Sequence, residues 1–172
     1  MSGLIIAAPS SSSGKTTVTL ALLRALSRRG QAVTPIKIGP DYIDPGFHAA
    51  ACGADCWNLD AWALGPAAYV DVIRRSEARG TLVVAEGVMG LFDGATLDEG
   101  ATADVAASTG WPVILVVDAS GMAASIAALV HGFATFRPDV RIGGVIANKI
   151  GSSRHRAILA EALERIDIPL LG

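Results

Sequence analysis

The sequence predicts an α/β domain, a mostly parallel sheet with helices on both faces. Three observations predict it. Apolar strand-like runs alternate with helix-period segments along nearly the whole chain, the pattern of a sheet covered on both sides. A serine-rich loop ending Gly14-Lys15-Thr16-Thr17 stands between the first such strand and the first such helix. A length of 172 residues, 51% of them hydrophobic, supports one domain with a real core and requires no second.

Leu4-Ile5-Ile6-Ala7 is a short buried-strand run, and Val18, Ala21, Leu22, Ala25 and Leu26 recur at helical spacing after Lys15. Gly30 ends that helix behind Arg28 and Arg29, whose charges suit the C-terminal end of the dipole. A second strand is predicted from Ala32 to Ile38. Pro66 opens a helix running to about Arg79, which Gly80 ends, and a third strand, Thr81 to Ala85, stops on Glu86. Trp111-Pro112 precedes a strand from Val113 to Val117 that ends on Asp118. A helix from about Met122 to Phe136, a strand from Ile142 to Ala147, a helix from Ser153 to Arg165 and a last strand, Ile168 to Leu171, complete the set. The stop at Gly172 directly after an apolar strand reads as an isolated domain of something longer.

Between β-run and helix, Ala8-Pro9-Ser10-Ser11-Ser12-Ser13-Gly14-Lys15-Thr16-Thr17 is a phosphate cradle. Its backbone N–H groups and the helix dipole favour an anion, Lys15 neutralises phosphate oxygens, and Thr16 is placed to ligate Mg²⁺. Two positions mark it as a variant. Pro9 stands where the standard G-x-x-x-x-G-K-[ST] pattern has glycine, and Ser12 stands inside the loop, where a positive φ would strain it mildly.

Open parallel sheets bind ligands outside the carboxyl ends of their strands, and the acids collect there. Asp41 and Asp44 follow the second strand and its Lys37; Glu86 ends the third, with Asp93 in the glycine-rich loop beyond. Glu86 is the best single Mg²⁺ ligand, since the hard ion prefers oxygen and bridges nucleotide phosphates. Asp98 and Glu99 lie in a polar stretch and read as solvated surface. His48, Cys52 and Cys56 recur every four residues and would share a helix face. Three such ligands climb about 12 Å at 1.5 Å per residue, so they cannot surround one ion with bonds of about 2.3 Å; buried or half-buried thiols are the better reading.

Acidic and basic residues nearly balance, 16 against 14, which argues against nucleic acid or an anionic membrane as the principal partner. Met1-Ser2-Gly3 leads straight into the first strand, and no apolar run reaches membrane-spanning length, so the chain reads as cytoplasmic with reduced thiols.

The phosphate loop, K-I-G-P-D-Y-I-D-P at Lys37 to Pro45 with His48 following, N-L-D at Asn58 to Asp60, E-G-V-M-G-L-F-D-G at Glu86 to Gly94 and V-I-A-N-K-I-G-S-S-R-H at Val145 to His155 together resemble the cobyrinic and hydrogenobyrinic acid a,c-diamide synthases. The resemblance spans essentially the whole chain and covers that family's N-terminal synthetase domain; the C-terminal glutaminase domain has no counterpart here. It implies a P-loop NTPase-like, dethiobiotin-synthetase-like fold, ATP and Mg²⁺ as cofactors, and ATP-dependent amidation of corrin acetate groups with ammonia from glutamine. By motif, Ser11, Ser12, Ser13, Gly14, Lys15, Thr16 and Thr17 would hold the nucleotide, with Asn148 at the base. Thr16, Asp41 and Glu86 would hold the metal, and Lys37, Asp41, Asp44 and Asp93 would serve catalysis. Tyr42, Asp44 and Phe92 would meet the corrin, with Trp57 and Trp62 as further flat apolar surface. A homodimer is compatible with this reading. Competing readings are a nucleotide-driven partitioning or metal-delivery switch, dethiobiotin synthetase, and a non-catalytic binding module. Ala7-Ala8-Pro9 lacks the extra lysine usual in such switches, and the G-P-D-Y-I-D-P and G-L-F-D-G loops argue against dethiobiotin synthetase.

Overall fold

A computed structural model describes residues 3–78, 81–97 and 99–172; the predicted helix end at Arg79 and Gly80 and the Asp98 surface position lie outside the described residues. β1 (Gly3–Ala7) runs through the serine loop into α1 (Lys15–Arg28), and β2 (Val33–Ile38) leads to α2 (Asp44–Cys52) and the short β3 (Trp57–Leu59). Then follow α3 (Pro66–Ala78), β4 (Leu82–Glu86), α4 (Thr102–Thr109), β5 (Val113–Asp118), α5 (Ser125–Phe136), β6 (Ile142–Asn148) and α6 (Ser153–Glu164). The strands form one sheet in the order β3-β2-β4-β1-β5-β6, each neighbouring pair parallel.

Period-two alternation along the strands builds a core on each face. Ile5, Ala7, Val83, Ala85, Leu115 and Val117 pack with side chains from α3, α4, α5 and α6, whereas Ile6, Ala8, Val84 and Val116 pack with Leu23 of α1 and Cys52 of α2. Both faces are therefore covered, as near-continuous apolar strands require. Pro35 sits within β2, an interior strand. The Gly39 N–H donates towards β3, to Leu59 O, and by the same alternation position 35 faces β3. There β3 begins only opposite Ile36, so the missing N–H has no strand to serve.

Three elements are not anticipated by periodicity. α2 begins Asp44-Pro45-Gly46 and spans 9 residues, β3 spans 3, and α4 spans 8; each is too short to show a repeat. The strand expected at Ile168–Leu171 is instead one parallel bridge, Val145 with Leu170, on the outer edge of β6. Cys56 does not share a helix face with His48 and Cys52. Gly53, at φ +76°, ends α2 directly after Cys52, and the chain turns back so that Cys56 Sγ lies 3.6 Å from His48 Nδ1. Among the described residues no helix is long and apolar enough to cross a membrane.

The sheet order locates the crevice. From β1 the chain moves towards β2, and from β4 it crosses to β5 on the other side, so β1 and β4 flank a topological switch point. The serine loop leaves the carboxyl end of β1, and Glu86 ends β4.

Candidate functional site

Ser12 adopts φ +63°, the strained left-handed conformation its position predicts, and Gly14 follows at φ +96°. Ser13 Oγ donates to Ser10 O at 3.0 Å, closing the loop. Asn148 Nδ2 donates to Ser13 O at 3.0 Å, and Asn148 Oδ1 accepts from the Lys149 N–H at 2.9 Å. The amide expected at the nucleotide base thus braces the phosphate loop. Pro9 is met by the acidic loop: the Leu91 N–H donates to Ala8 O at 2.8 Å, and a Cβ on Gly90 would lie 2.6 Å from Pro9 O. The close approach here falls to Gly90.

Lys15 opens α1 and is 8% exposed, its Nζ donating to Met89 O at 2.6 Å. Burial lowers its pKa, against the opposing charges of Glu86 and Asp93. Met89 carries that carbonyl at φ +47°.

Lys37 and Glu86 are register partners on β2 and β4, so their side chains leave the same face of the sheet, the one covered by α1 and α2. There the Lys37 ammonium, 2% exposed, meets Asp44 Oδ2 at 2.6 Å, Glu86 Oε1 at 3.1 Å and Asp41 Oδ2 at 3.5 Å. Burial disfavours that charge, but the Asp44 hydrogen bond and the Glu86 carboxylate outweigh it and hold Lys37 above the ordinary lysine value. Glu86 is fully buried; burial would raise its pKa, yet the hydrogen bond from His48 and the Lys37 charge hold it below the usual glutamate value. Thr16 Oγ1 donates to Glu86 Oε1 at 2.6 Å and stands 3.2 Å from Asp44 Oδ2. Asp41 Oδ1 accepts from the N–H groups of Ile43 and Asp44 at 2.9 and 3.0 Å, fixing the entry to α2, and Asn58 Nδ2 holds the Asp41 carbonyl at 2.9 Å.

Ser11, Ser12, Lys15, Thr16, Asp41 and Met89 are among the residues that line a cleft of about 210 Å³ over this cluster. Hydroxyl and carboxylate oxygens of Thr16, Glu86 and Asp44 form a hard donor set. Adjacent oxygens in an octahedral Mg²⁺ shell with bonds of about 2.1 Å are roughly 3 Å apart, and the Thr16 contacts at 2.6 and 3.2 Å match that spacing. Among the described residues no group of three His, Cys, Asp or Glu side chains is arranged to hold a metal. The fit thus rests on the threonine hydroxyl and leaves coordination open to phosphate and water.

Asp93, Phe92, Thr17 and Tyr42 are not among the residues that line the cleft. Asp93 Oδ2 accepts from the Gly90 N–H at 2.9 Å and caps its own turn. Phe92 packs on α5, its ring 5.3 Å from Phe133 and 4.8 Å from Phe136. Thr17 is exposed on α1. Tyr42, 90% exposed, directly follows the cleft-lining Asp41 in the chain. Two contributors are missed by sequence reasoning: the Met89 carbonyl, which no side-chain pattern signals, and His48, whose motif position is visible but whose partner is not.

Residues 4–172 match the family described as the CobQ/CobB/MinD/ParA nucleotide binding domain. The chain belongs to that family. This CobQ/CobB/MinD/ParA domain is 57% identical over its whole length to a hydrogenobyrinate a,c-diamide synthase of Brucella anthropi, of which it spans 40%. Proteins of the same name from Rhizobium meliloti and Streptomyces coelicolor are 53% and 56% identical, over 100% and 98% of this chain and 40% and 35% of theirs. The chain therefore spans about 40% of the length of the curated relatives it matches. Among solved structures, chloroplast FtsY from Physcomitrella patens aligns with a TM-score of 0.66 at 20% identity, over 98% of this chain and 57% of that one. A signal recognition particle 54 kDa protein from Aeropyrum pernix aligns at 0.64 and 22%, over 99% and 41%. These two share the fold.

Proposed function

We propose that this chain is the ATP-dependent synthetase part of an enzyme that amidates the a and c acetate groups of a corrin, with cobalt-free hydrogenobyrinic acid as substrate. The observation that carries the proposal is the whole-chain identity of 57% to a synthase of that name, in a chain whose acidic loops converge on the phosphate loop. A carboxylate resists ammonia because it is anionic and offers a poor leaving group. Phosphorylation by ATP makes an acyl phosphate and ADP; ammonia then displaces phosphate and leaves the amide.

Such chemistry asks the protein for positioning and charge neutralisation. Loop N–H groups and Lys15 would hold the phosphate chain. Thr16, Glu86 and Asp44, with Asp41 beside them, would hold Mg²⁺, which when bound offsets phosphate charge. Lys37, kept charged by Asp44 and Glu86, would add a second cation beside the same carboxylates. Asp93, in the turn beside Lys15, would act on the activated carboxylate or the incoming ammonia, and exposed Tyr42 would offer a flat apolar face to the corrin. In the full-length protein a glutaminase domain would supply ammonia, and the enzyme would work in the cytoplasm.

The test uses the full-length protein with ATP, Mg²⁺ and ammonia. ADP release should depend on hydrogenobyrinic acid and exceed that with cobyrinic acid. No corrin-dependent ADP release would overturn the proposal; a preference for cobyrinic acid would overturn the cobalt-free assignment.

A further inference from the structure

His48 is the most deeply buried titratable side chain that the mechanism above does not use. It is fully buried on α2, its Nε2 lies 2.7 Å from Glu86 Oε2, and its Nδ1 lies 3.6 Å from Cys56 Sγ. Glu86 is equally buried, and its two oxygens have different partners. Oε1 takes Thr16 and Lys37 at the floor of the cleft, while Oε2 points away from it towards the imidazole. A buried carboxylate oxygen without a donor is costly, so the rotation of this carboxylate depends on what meets Oε2.

We propose that His48 is a positioning residue: by donating Nε2–H to Glu86 Oε2 it holds Glu86 Oε1 turned to the metal-and-phosphate side of the cleft. Histidine suits the task because its ring is rigid and anchored at the far nitrogen. Burial pushes the Cys56 thiol up to about 12, so the sulfur keeps its hydrogen and presents it to Nδ1. A donor held in this way behind a ligand oxygen is how outer partners orient metal ligands generally, and losing one typically costs about 10- to 100-fold in metal affinity.

The inference rests on the nucleotide-and-Mg²⁺ part of the proposed function and not on the corrin, so its test uses nucleotide alone. ADP affinity is measured by calorimetry across a Mg²⁺ series and in EDTA, for the wild type and for His48→Leu, His48→Gln and His48→Asn. His48→Leu should raise the Mg²⁺ concentration for half-maximal effect roughly 10- to 100-fold while metal-free ADP affinity stays within about twofold. His48→Gln, whose amide nitrogen falls near Nε2, should recover most of the Mg²⁺ dependence; His48→Asn, whose nitrogen falls near Nδ1, should not. Wild-type Mg²⁺ dependence in His48→Leu overturns the inference, as does an equal loss with and without metal that glutamine fails to repair. Where His48→Leu does not fold, the Gln and Asn pair decides. A wild type with no Mg²⁺-dependent gain overturns the site itself, an outcome separate from loss of the His48 role.

Discussion

Gly14 carries two constraints in one residue. Its φ of +96° suits no side chain, and a Cβ there would lie 2.2 Å from Asn148 Nδ2. Gly14→Ala must strain the backbone and push Asn148 off Ser13 O, a combined cost of about 2–3 kcal/mol. Urea unfolding should show that loss, with nucleotide affinity falling alongside; unchanged stability would mean the loop has another way to lie. Glu86→Gln preserves size while removing one of the three carboxylates around Lys37. We expect a folded protein whose Mg²⁺-dependent turnover is abolished in the full-length enzyme, and unchanged turnover would take Glu86 out of the metal site. At this scale much was legible. Ser12 at positive φ follows from the loop pattern, and Glu86 from its place at a strand end. The His48–Glu86 contact was not, because it joins residues 38 apart and depends on the β2–β4 register and the placement of an unanticipated helix.

The elements that periodicity reveals are the long ones. α1 and α5 run 14 and 12 residues and repeat their apolar positions several times. α2 opens on Pro45 and Gly46, yet it carries both Asp44 and His48, and its one periodic sign in the sequence is the four-residue spacing of His48 and Cys52. Proline at the first turn is compatible with a helix start and removes only an N–H that has no intrahelical partner. α6 shows the ordinary signal: Ser152 caps it by accepting from the His155 N–H at 3.1 Å, and His155 in turn ties it to Met122 O at 2.7 Å. Ser152→Ala should cost about 1 kcal/mol, read as a lowered midpoint in denaturant with unchanged m. No change would mean that the His155 contact alone sets the helix start.

For the molecule as a whole, alternating strands and helices were enough to foresee a parallel sheet covered on both faces, but not the position of β3 at one edge or the reduction of the last strand to a bridge. Both concern edges, where three or four residues decide the outcome and no period can form. At the carboxyl ends of the strands, Asp118 closes β5 and Lys149 directly follows β6, and the two are paired at 2.5 Å. Lys149 and the Ser120 donors hold the Asp118 carboxyl at about 2, against an ordinary 3.8. A depressed folded value means that the pair favours the folded state above pH 3.8 and ceases to do so as pH falls towards about 2. Carboxyl NMR should place the Asp118 midpoint near 2 in the wild type and move it up in Lys149→Met; a wild-type midpoint near 3.8 would refute the pairing in solution.

Lys15 and the Met89 carbonyl, 2.6 Å apart, make ligand arrival an exchange reaction rather than an addition. An incoming anion meets a cation that is already coordinated, and it must first break a charge-assisted hydrogen bond. A lone orthophosphate gains little from that trade, whereas a polyphosphate that also engages the loop amides recovers the loss many times over. Millimolar phosphate should therefore leave the melting temperature almost unmoved where the same concentration of ATP raises it. Discrimination by length of the phosphate chain thus follows from the hold of the Met89 carbonyl on Lys15.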